Sequence, residues 1–397
     1  MSATAWRPGA CAIAGIGTTD FSRDSGRSDL TLATQAVLAA LTDAGLDASA
    51  VDGIVRCDMD LVRHNDLAES LGIRHLSYWG ECGPGGVAPC AMIGQAVGAI
   101  LSGQATTVVV FRSLNGRSGR RYGAASTAAG QQVVGGNVSY DEFFLPHGLL
   151  TAGQMFALMT RRHMIDYHST PEQLGSIAIA CRDRALANPA AQMHGRPLTM
   201  DDYMSARMIS DPLRLFDYCL ETDGAAAVVV TGTARARDCK SGAVLVHTVA
   251  QASLPGTQPG TMFPVLMRDS ITALSSRAVA DLLWARSGLG PADIDVAQLY
   301  DCFTITLLLQ LEDYGFAKRG EGGAFAADGG IGLDGQLPCN TSGGHLSEGY
   351  IHGMNHVVEA VRQVRGTSTA QVPGAEVSLV TSAPPPASSA LILTADR

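Results

Sequence analysis

Residues 44–58 read AGLDASAVDGIVRCD and residues 287–301 read SGLGPADIDVAQLYD, and this internal echo constrains the fold more than any other feature of the chain. Gly45 and Gly288 stand 243 positions apart, and at the same offset Leu46 meets Leu289, Asp52 meets Asp295 and Asp58 meets Asp301. An apolar-periodic stretch precedes each copy, 30–44 and 271–287, so each unit predicts a helix, a glycine cap, a short turn and a buried strand. The correspondence extends further: a helical pattern at 89–103 leads to a strand at 106–111, and one at 353–366 leads to a strand at 376–381. Two related α/β halves, 1–235 and 240–397, are the architecture this implies.

Residues 113–222 fall outside the repeat. They read as an inserted loop domain over the first half, with helices at 152–187 and 199–209 and a glycine-, serine- and alanine-rich stretch at 115–139. DGAAAVVVTG, residues 223–232, resumes the repeat as a buried strand. A Pro-rich turn and a last strand close the chain.

Composition narrows the function. Hydrophobic residues make up 46% of the chain and charged residues 16%, against about 25% charged in an ordinary soluble domain. That shortage implies a large buried area, part of it between subunits. The net charge of −9 argues against a nucleic-acid footprint, and no apolar run approaches the roughly 18–20 residues of a membrane span. The opening MSATAWRPGACAIAG lacks a secretory pattern, which predicts a cytoplasmic protein. Nine cysteines without a CxxC pair predict reduced thiols and no cysteine-built zinc site.

The chain carries neither a Walker loop nor a GxSxG nucleophile elbow. Residues 80–94, GECGPGGVAPCAMIG, precede a helix, and their backbone N–H groups either hold an oxyanion or simply make a tight turn. A denser cluster lies in the second half. Tyr300-Asp301-Cys302-Phe303 follows a strand at 294–299, where open α/β sheets place ligands. NTSGGHLSEGYIHGMNH, residues 340–356, then brings Gly344, His345, Glu348, Tyr350, His352 and His356 into one glycine-rich loop. His352 and His356 have helical spacing but lack the HExxH form and a third ligand, so no metal site is expected.

LANPAAQ, 186–192, and LTMDDYMSARMISDPLRLFDYCLETDGAAAVVV, 198–230, resemble the sterol-carrier-protein-x branch of the thiolase superfamily. The resemblance covers nearly the whole chain and implies an α/β thiolase fold: two βαβαβαββ halves in five αβαβα layers, with an inserted loop domain. It also exposes departures. The position of the thiolase nucleophile falls at Gly86, with Cys82 and Cys90 four residues to either side, and no cysteine stands around Ser382–Pro384, where the family has its second. The NEAF or HDCF motif appears as Tyr300-Asp301-Cys302-Phe303, and the GGxxxxGHP motif as Gly343-Gly344 through Gly349-Tyr350, so two facing catalytic positions are both tyrosine.

That pattern is similar to the thiolase-like steroid side-chain aldolases of bacteria. The resemblance implies retro-aldol cleavage of a β-hydroxyacyl-CoA steroid side chain, giving a 17-keto steroid and propionyl-CoA. Tyr350 is the expected base and Tyr300 the expected acid, with the reverse left open; one phenol would have to titrate well below about 10. Backbone amides around Gly86 and Gly344 are candidates for the enolate oxygen, and Asp301, Cys302, His345 and Glu348 for support. The only lysines, Lys240 and Lys318, lie in polar turns, against a Schiff-base aldolase. No cofactor is expected, CoA being part of the substrate. The implied assembly is a homodimer binding two copies of a zinc-ribbon/OB-fold protein as an α2β2 heterotetramer. Arg112, Arg117, Arg120 and Arg121 either meet CoA phosphates or the partner, or lie in a solvated loop. Two other readings stand: a Claisen-type thiolase acting through Cys82 or Cys90, and a non-catalytic acyl-CoA or lipid carrier.

Overall fold

The computed structural model describes residues 6–83, 85–119, 121, 141–254, 263–382, 385 and 387–396. In chain order its strands are β1 Cys11–Thr18, β2 Gly53–Cys57, β3 Tyr78–Cys82, β4 Thr107–Asn115, β5 Met208–Ser210, β6 Leu213–Arg214, β7 Asp223–Gly232, β8 Val244–Ser253, β9 Val296–Gln298, β10 Val377–Ser382 and β11 Ala387–Ala395. Apart from the β5–β6 hairpin, all of these join one sheet in the order β3-β2-β4-β7-β1-β8-β11-β10-β9.

The order is palindromic. In the first half β2 and β4 are parallel, while β4–β7 and β7–β1 are antiparallel. In the second half β9 and β10 are parallel, while β10–β11 and β11–β8 are antiparallel. The counterpart of β3 has shrunk to a single parallel bridge, Ala297 to Cys339. The halves meet antiparallel at β1 and β8, through the pairs Ala12–Leu245 and Ile13–Val244.

The echoed residues do equivalent work. Helices Asp29–Ala44 and Ser276–Ser287 both end at a left-handed glycine, Gly45 at φ 70° and Gly288 at φ 71°. Asp52 accepts the amides of Thr106 and Thr107 at the start of β4, and Asp295 accepts those of Glu376 and Val377 at the start of β10. Each carboxylate therefore pins the next parallel strand to its neighbour. The two outer helices pack on opposite half-sheets, Asp29–Ala44 on β1 and β7 and Ser276–Ser287 on β8 and β11. Helices Ala88–Leu101 and Met354–Arg365 lie between, each touching strands of both halves. They bury nine of fourteen and nine of twelve residues, polar ones such as Asn355, His356 and Glu359 included, as a middle-layer helix does. The result is helix, sheet, helix pair, sheet, helix.

The expected helix at 152–187 is two, Ala152–Tyr167 and Pro171–Ala187. Thr170 caps the second by accepting the Gln173 amide, and Pro171 at its first turn cannot continue a preceding helix. The expected helix at 199–209 stops at Ser205, because Met208 pairs with Arg214 in the hairpin instead. The second outer helix starts at Ser276 rather than at residue 271. Most of the glycine-rich stretch at 115–139, including Arg120, lies outside the described residues, as do residues 383 and 384 of the sequence Ser382–Pro384.

Candidate active site

Tyr300 leaves the end of β9 with its backbone fixed on three sides. Thr381 Oγ1 accepts its amide at 2.9 Å, Gln310 Nε2 donates to its carbonyl at 2.7 Å, and the preceding Leu299 is clamped by the Asn340 side chain at 2.8 and 2.9 Å. Tyr350 is fixed by its amide, which donates to Thr222 Oγ1 at 2.8 Å, so the strand-β7 approach and the second-half loop are tied together at the site. The two phenol oxygens stand 2.7 Å apart. Rings of His345 pack edge-on against both, 4.7 Å from Tyr300 and 5.0 Å from Tyr350.

Gly86 completes the arrangement from the first half. A Cβ at this position would stand 2.0 Å from the Tyr300 hydroxyl and 2.5 Å from Cζ. The phenol thus fills the space that a side chain at 86 would occupy, and position 86 is where the resemblance places a nucleophilic thiol. Neither nearby cysteine replaces it. Cys90 is fully buried in the middle-layer helix, with Ser382 Oγ at 3.2 Å from its sulfur, and burial pushes its thiol up to about 12. Burial also raises the Cys82 thiol.

One expectation reverses. Both phenols titrate above the ordinary tyrosine range, not below it, because burial disfavours the phenolate. After burial, the Tyr350 oxygen raises Tyr300 further, and Cys219 and Cys302 raise Tyr350; either phenol can donate in the bond between them.

Behind the phenols, Asp301 is sealed. Its carboxylate accepts the amides of His345 at 2.9 Å and Leu346 at 3.2 Å, and its Oδ1 lies 3.0 Å from His345 Nδ1 and 3.1 Å from His356 Nε2. Burial would raise Asp301, but the two imidazoles outweigh it and hold the carboxyl well below the usual range. Burial, then His356, brings His345 down to about 4. The amides of His345 and Leu346, the two that follow Gly344, are therefore spent on Asp301 and do not face an enolate oxygen. Among the described residues the metal-capable group is Asp301, His345 and His356, with ligand atoms within 4.8 Å, and not the His352/His356 pair. With its carboxylate already serving two amides, this group fits a buried carboxylate–imidazole scaffold better than an ion site. His352 turns away from it toward Arg112.

The remaining candidates separate in space. Glu348 is buried and accepts from Ser342 at 2.7 Å and Asn355 at 2.9 Å, bracing the loop; burial raises it to about 7. Cys302 is buried beside Thr306. Arg112 is not a solvent-facing CoA contact: it is 1% exposed and bonded to Asp60 and His352, because its strand position points inward. Arg117 and Arg121 pair with Glu221 at 3.5 and 2.8 Å. Lys240 and Lys318 are both exposed, so neither has the apolar pocket a Schiff-base amine needs. Asp60 and Thr222 escape a sequence reading because no motif marks them, and Asn340, though it opens the glycine-rich loop, carries no titratable group to mark it. Residues 330–335, which carry GxGxxG spacing, form turns rather than a strand-to-helix loop.

The family described as Thiolase C-terminal domain-like matches residues 262–394. A steroid side-chain-cleaving aldolase of Thermomonospora curvata is 45% identical over 392 residues, covering 98% of this chain and 99% of the relative. A 17-hydroxy-3-oxo-4-pregnene-20-carboxyl-CoA lyase of Mycobacterium tuberculosis is 43% identical over 385 residues, covering 97% and 99%. The solved structure of an Ltp2-ChsH2(DUF35) aldolase superposes with a TM-score of 0.91 at 44% identity, covering 98% of this chain and 99% of that one. With its palindromic sheet, its glycine in place of a nucleophile and its paired phenols, the chain belongs to the thiolase-fold family of steroid side-chain-cleaving aldolases.

Proposed function

We propose that the chain cleaves the CoA thioester of a steroid bearing a β-hydroxylated three-carbon side chain, releasing propionyl-CoA and leaving a 17-keto steroid. The observation that carries this reading is the 2.7 Å phenol pair standing where a thiolase would keep its thiol. A retro-aldol step needs a base for the hydroxyl proton and an acid for the α-carbon, and it needs no acyl-enzyme. Tyr350 takes the hydroxyl proton; the carbon–carbon bond opens and its electrons pass into the thioester enolate. Tyr300 then returns a proton to the α-carbon. The thioester itself acidifies that carbon, so the reaction calls for no cofactor beyond the CoA of the substrate. The Gly85–Val87 turn at the head of helix Ala88–Leu101 is the remaining candidate for the enolate oxygen.

The assembly proposed is a homodimer carrying two OB-fold partners with zinc ribbons, supported by the named partner in the related aldolase complex. The division into halves at 1–235 and 240–397, with a loop domain at 113–222, belongs to the same proposal and is supported by the palindromic sheet. So does a cytoplasmic location; among the described residues no helix is long and apolar enough to cross a membrane.

The test is release of propionyl-CoA from 17-hydroxy-3-oxo-4-pregnene-20-carboxyl-CoA by the chain co-expressed with an OB-fold partner. Tyr300→Phe and Tyr350→Phe should each lose about a hundredfold or more in kcat with KM little changed. Parental turnover in both variants would refute the mechanism. Activity surviving in Tyr350→Phe but not Tyr300→Phe would remove Tyr350 from the proton transfers.

A further inference from the structure

Beneath Tyr350 lies a buried cation. Arg112, on β4, is 1% exposed. A guanidinium keeps its proton in any protein interior, so it must find acceptors. The structure supplies Asp60 Oδ1 at 2.5 Å, the Ser113 carbonyl at 2.9 Å, and His352 Nδ1 at 3.1 Å from Nε and 3.0 Å from Nη2. Asp60 is itself oriented by the amides of Ser113 at 2.9 Å and Cys57 at 3.1 Å.

Because the Arg112 nitrogens can only donate, His352 Nδ1 carries a lone pair and the ring is the Nε2–H tautomer. His352 also sits at φ 49°, a left-handed backbone that few non-glycine residues adopt. Its ring meets that of Tyr350 edge-on at 4.9 Å. The groups facing the Tyr350 phenol are Tyr300 and Cys302 from the loop after β9, Cys219 from the segment before β7, His345 from the turn at 344–347, His352 and Arg112. Asp301 lies behind His345. Of the facing groups, Arg112 alone carries a fixed positive charge.

We propose that Asp60, Arg112 and His352 form a positioning relay for the lyase step: Asp60 orients Arg112, Arg112 locks the His352 ring, and that ring holds Tyr350 against Tyr300 with the buried cation behind it. The inference rests on the reading of Tyr350 as a proton-transfer group. None of the three has to touch substrate.

The test uses the full chain with its co-expressed partner and the same CoA thioester. Asp60→Asn/Arg112→Gln removes both buried charges together, so the fold is not left with one unpaired. His352→Gln is the second, independent variant. In each, kcat should fall about tenfold or more with KM held within about threefold, and in Asp60→Asn/Arg112→Gln the low-pH limb of the kcat profile should move up by about one unit, because the base loses its cation. Arg112→Lys, which keeps charge but not the fork, should restore the position of that limb while kcat stays depressed. Loss of kcat with an unmoved pH profile in Asp60→Asn/Arg112→Gln would reduce the relay to a structural brace, and parental kinetics in His352→Gln would overturn it outright. Parental turnover in Tyr350→Phe would instead refute the underlying assignment.

Discussion

Alanine at position 86 is the sharpest perturbation the site offers, because it adds one carbon and no chemistry. That carbon would lie 2.0 Å from the Tyr300 hydroxyl, 2.5 Å from Cζ and 3.0 Å from Cε2. Non-bonded heavy atoms settle at about 3.5–4.0 Å, so the phenol must retreat by more than about 1 Å. The Tyr300 backbone cannot follow, since Thr381 and Gln310 hold its amide and carbonyl at 2.9 and 2.7 Å. The side chain has to rotate off its rotamer, and the 2.7 Å bond to Tyr350 breaks. Misplacement of this size costs about a hundredfold in rate, or about 2.7 kcal/mol of barrier, while overpacking costs about 1–3 kcal/mol of stability. Steady-state propionyl-CoA release should therefore show kcat down about a hundredfold in Gly86→Ala. In a Tyr300→Phe background the same alanine should cost less than about fivefold, since the acid is already gone. A Gly86→Ala enzyme within about threefold of the parent would show that the phenol's position is not what the reaction depends on.

Two further outcomes follow from burial and from the sheet edge. Glu348 has an ordinary value of 4.5 and a folded value of about 7, so the folded state holds its proton longer than the unfolded chain. Its contribution to stability is present below about pH 4.5 and is lost progressively as pH rises to about 7. Glu348→Gln should abolish that segment of the melting-temperature profile, and an unchanged profile would place the titration elsewhere. The outer edge of β3 presents Trp79, 55% exposed and stacked on His64 at 4.4 Å, beside unpaired strand backbone. If this edge joins two copies, Trp79→Glu should shift the dimer toward monomer in light scattering at micromolar concentration; an unaltered mass would move the dimer interface elsewhere.

The sequence carried the features whose chemistry is local. Gly45 and Gly288 are readable because a left-handed cap demands glycine, and Asp52 and Asp295 are readable because the same carboxylate serves the same strand start in each half. Tyr300 and Tyr350 stood out only through their places in two motifs. Other features depend on topology. Asp60, Arg112 and His352 come from three distant segments that only the closed sheet brings together. The upward titration of both phenols could not be read either, since it reflects burial by residues scattered along the chain. Where β3 has its counterpart the structure has one bridge at Cys339, followed by side-chain bonds from Asn340 to Leu299, and neither is marked by a strand-like pattern.

The shared space at Gly86 and Tyr300 also sets the terms for redesign. With the phenol where it stands, a Cβ at 86 would lie 2.0 Å from its oxygen. A thiol at 86 and this placement of Tyr300 compete for one volume, so a library built to convert lyase chemistry into acyl transfer has to vary residues 86 and 300 together.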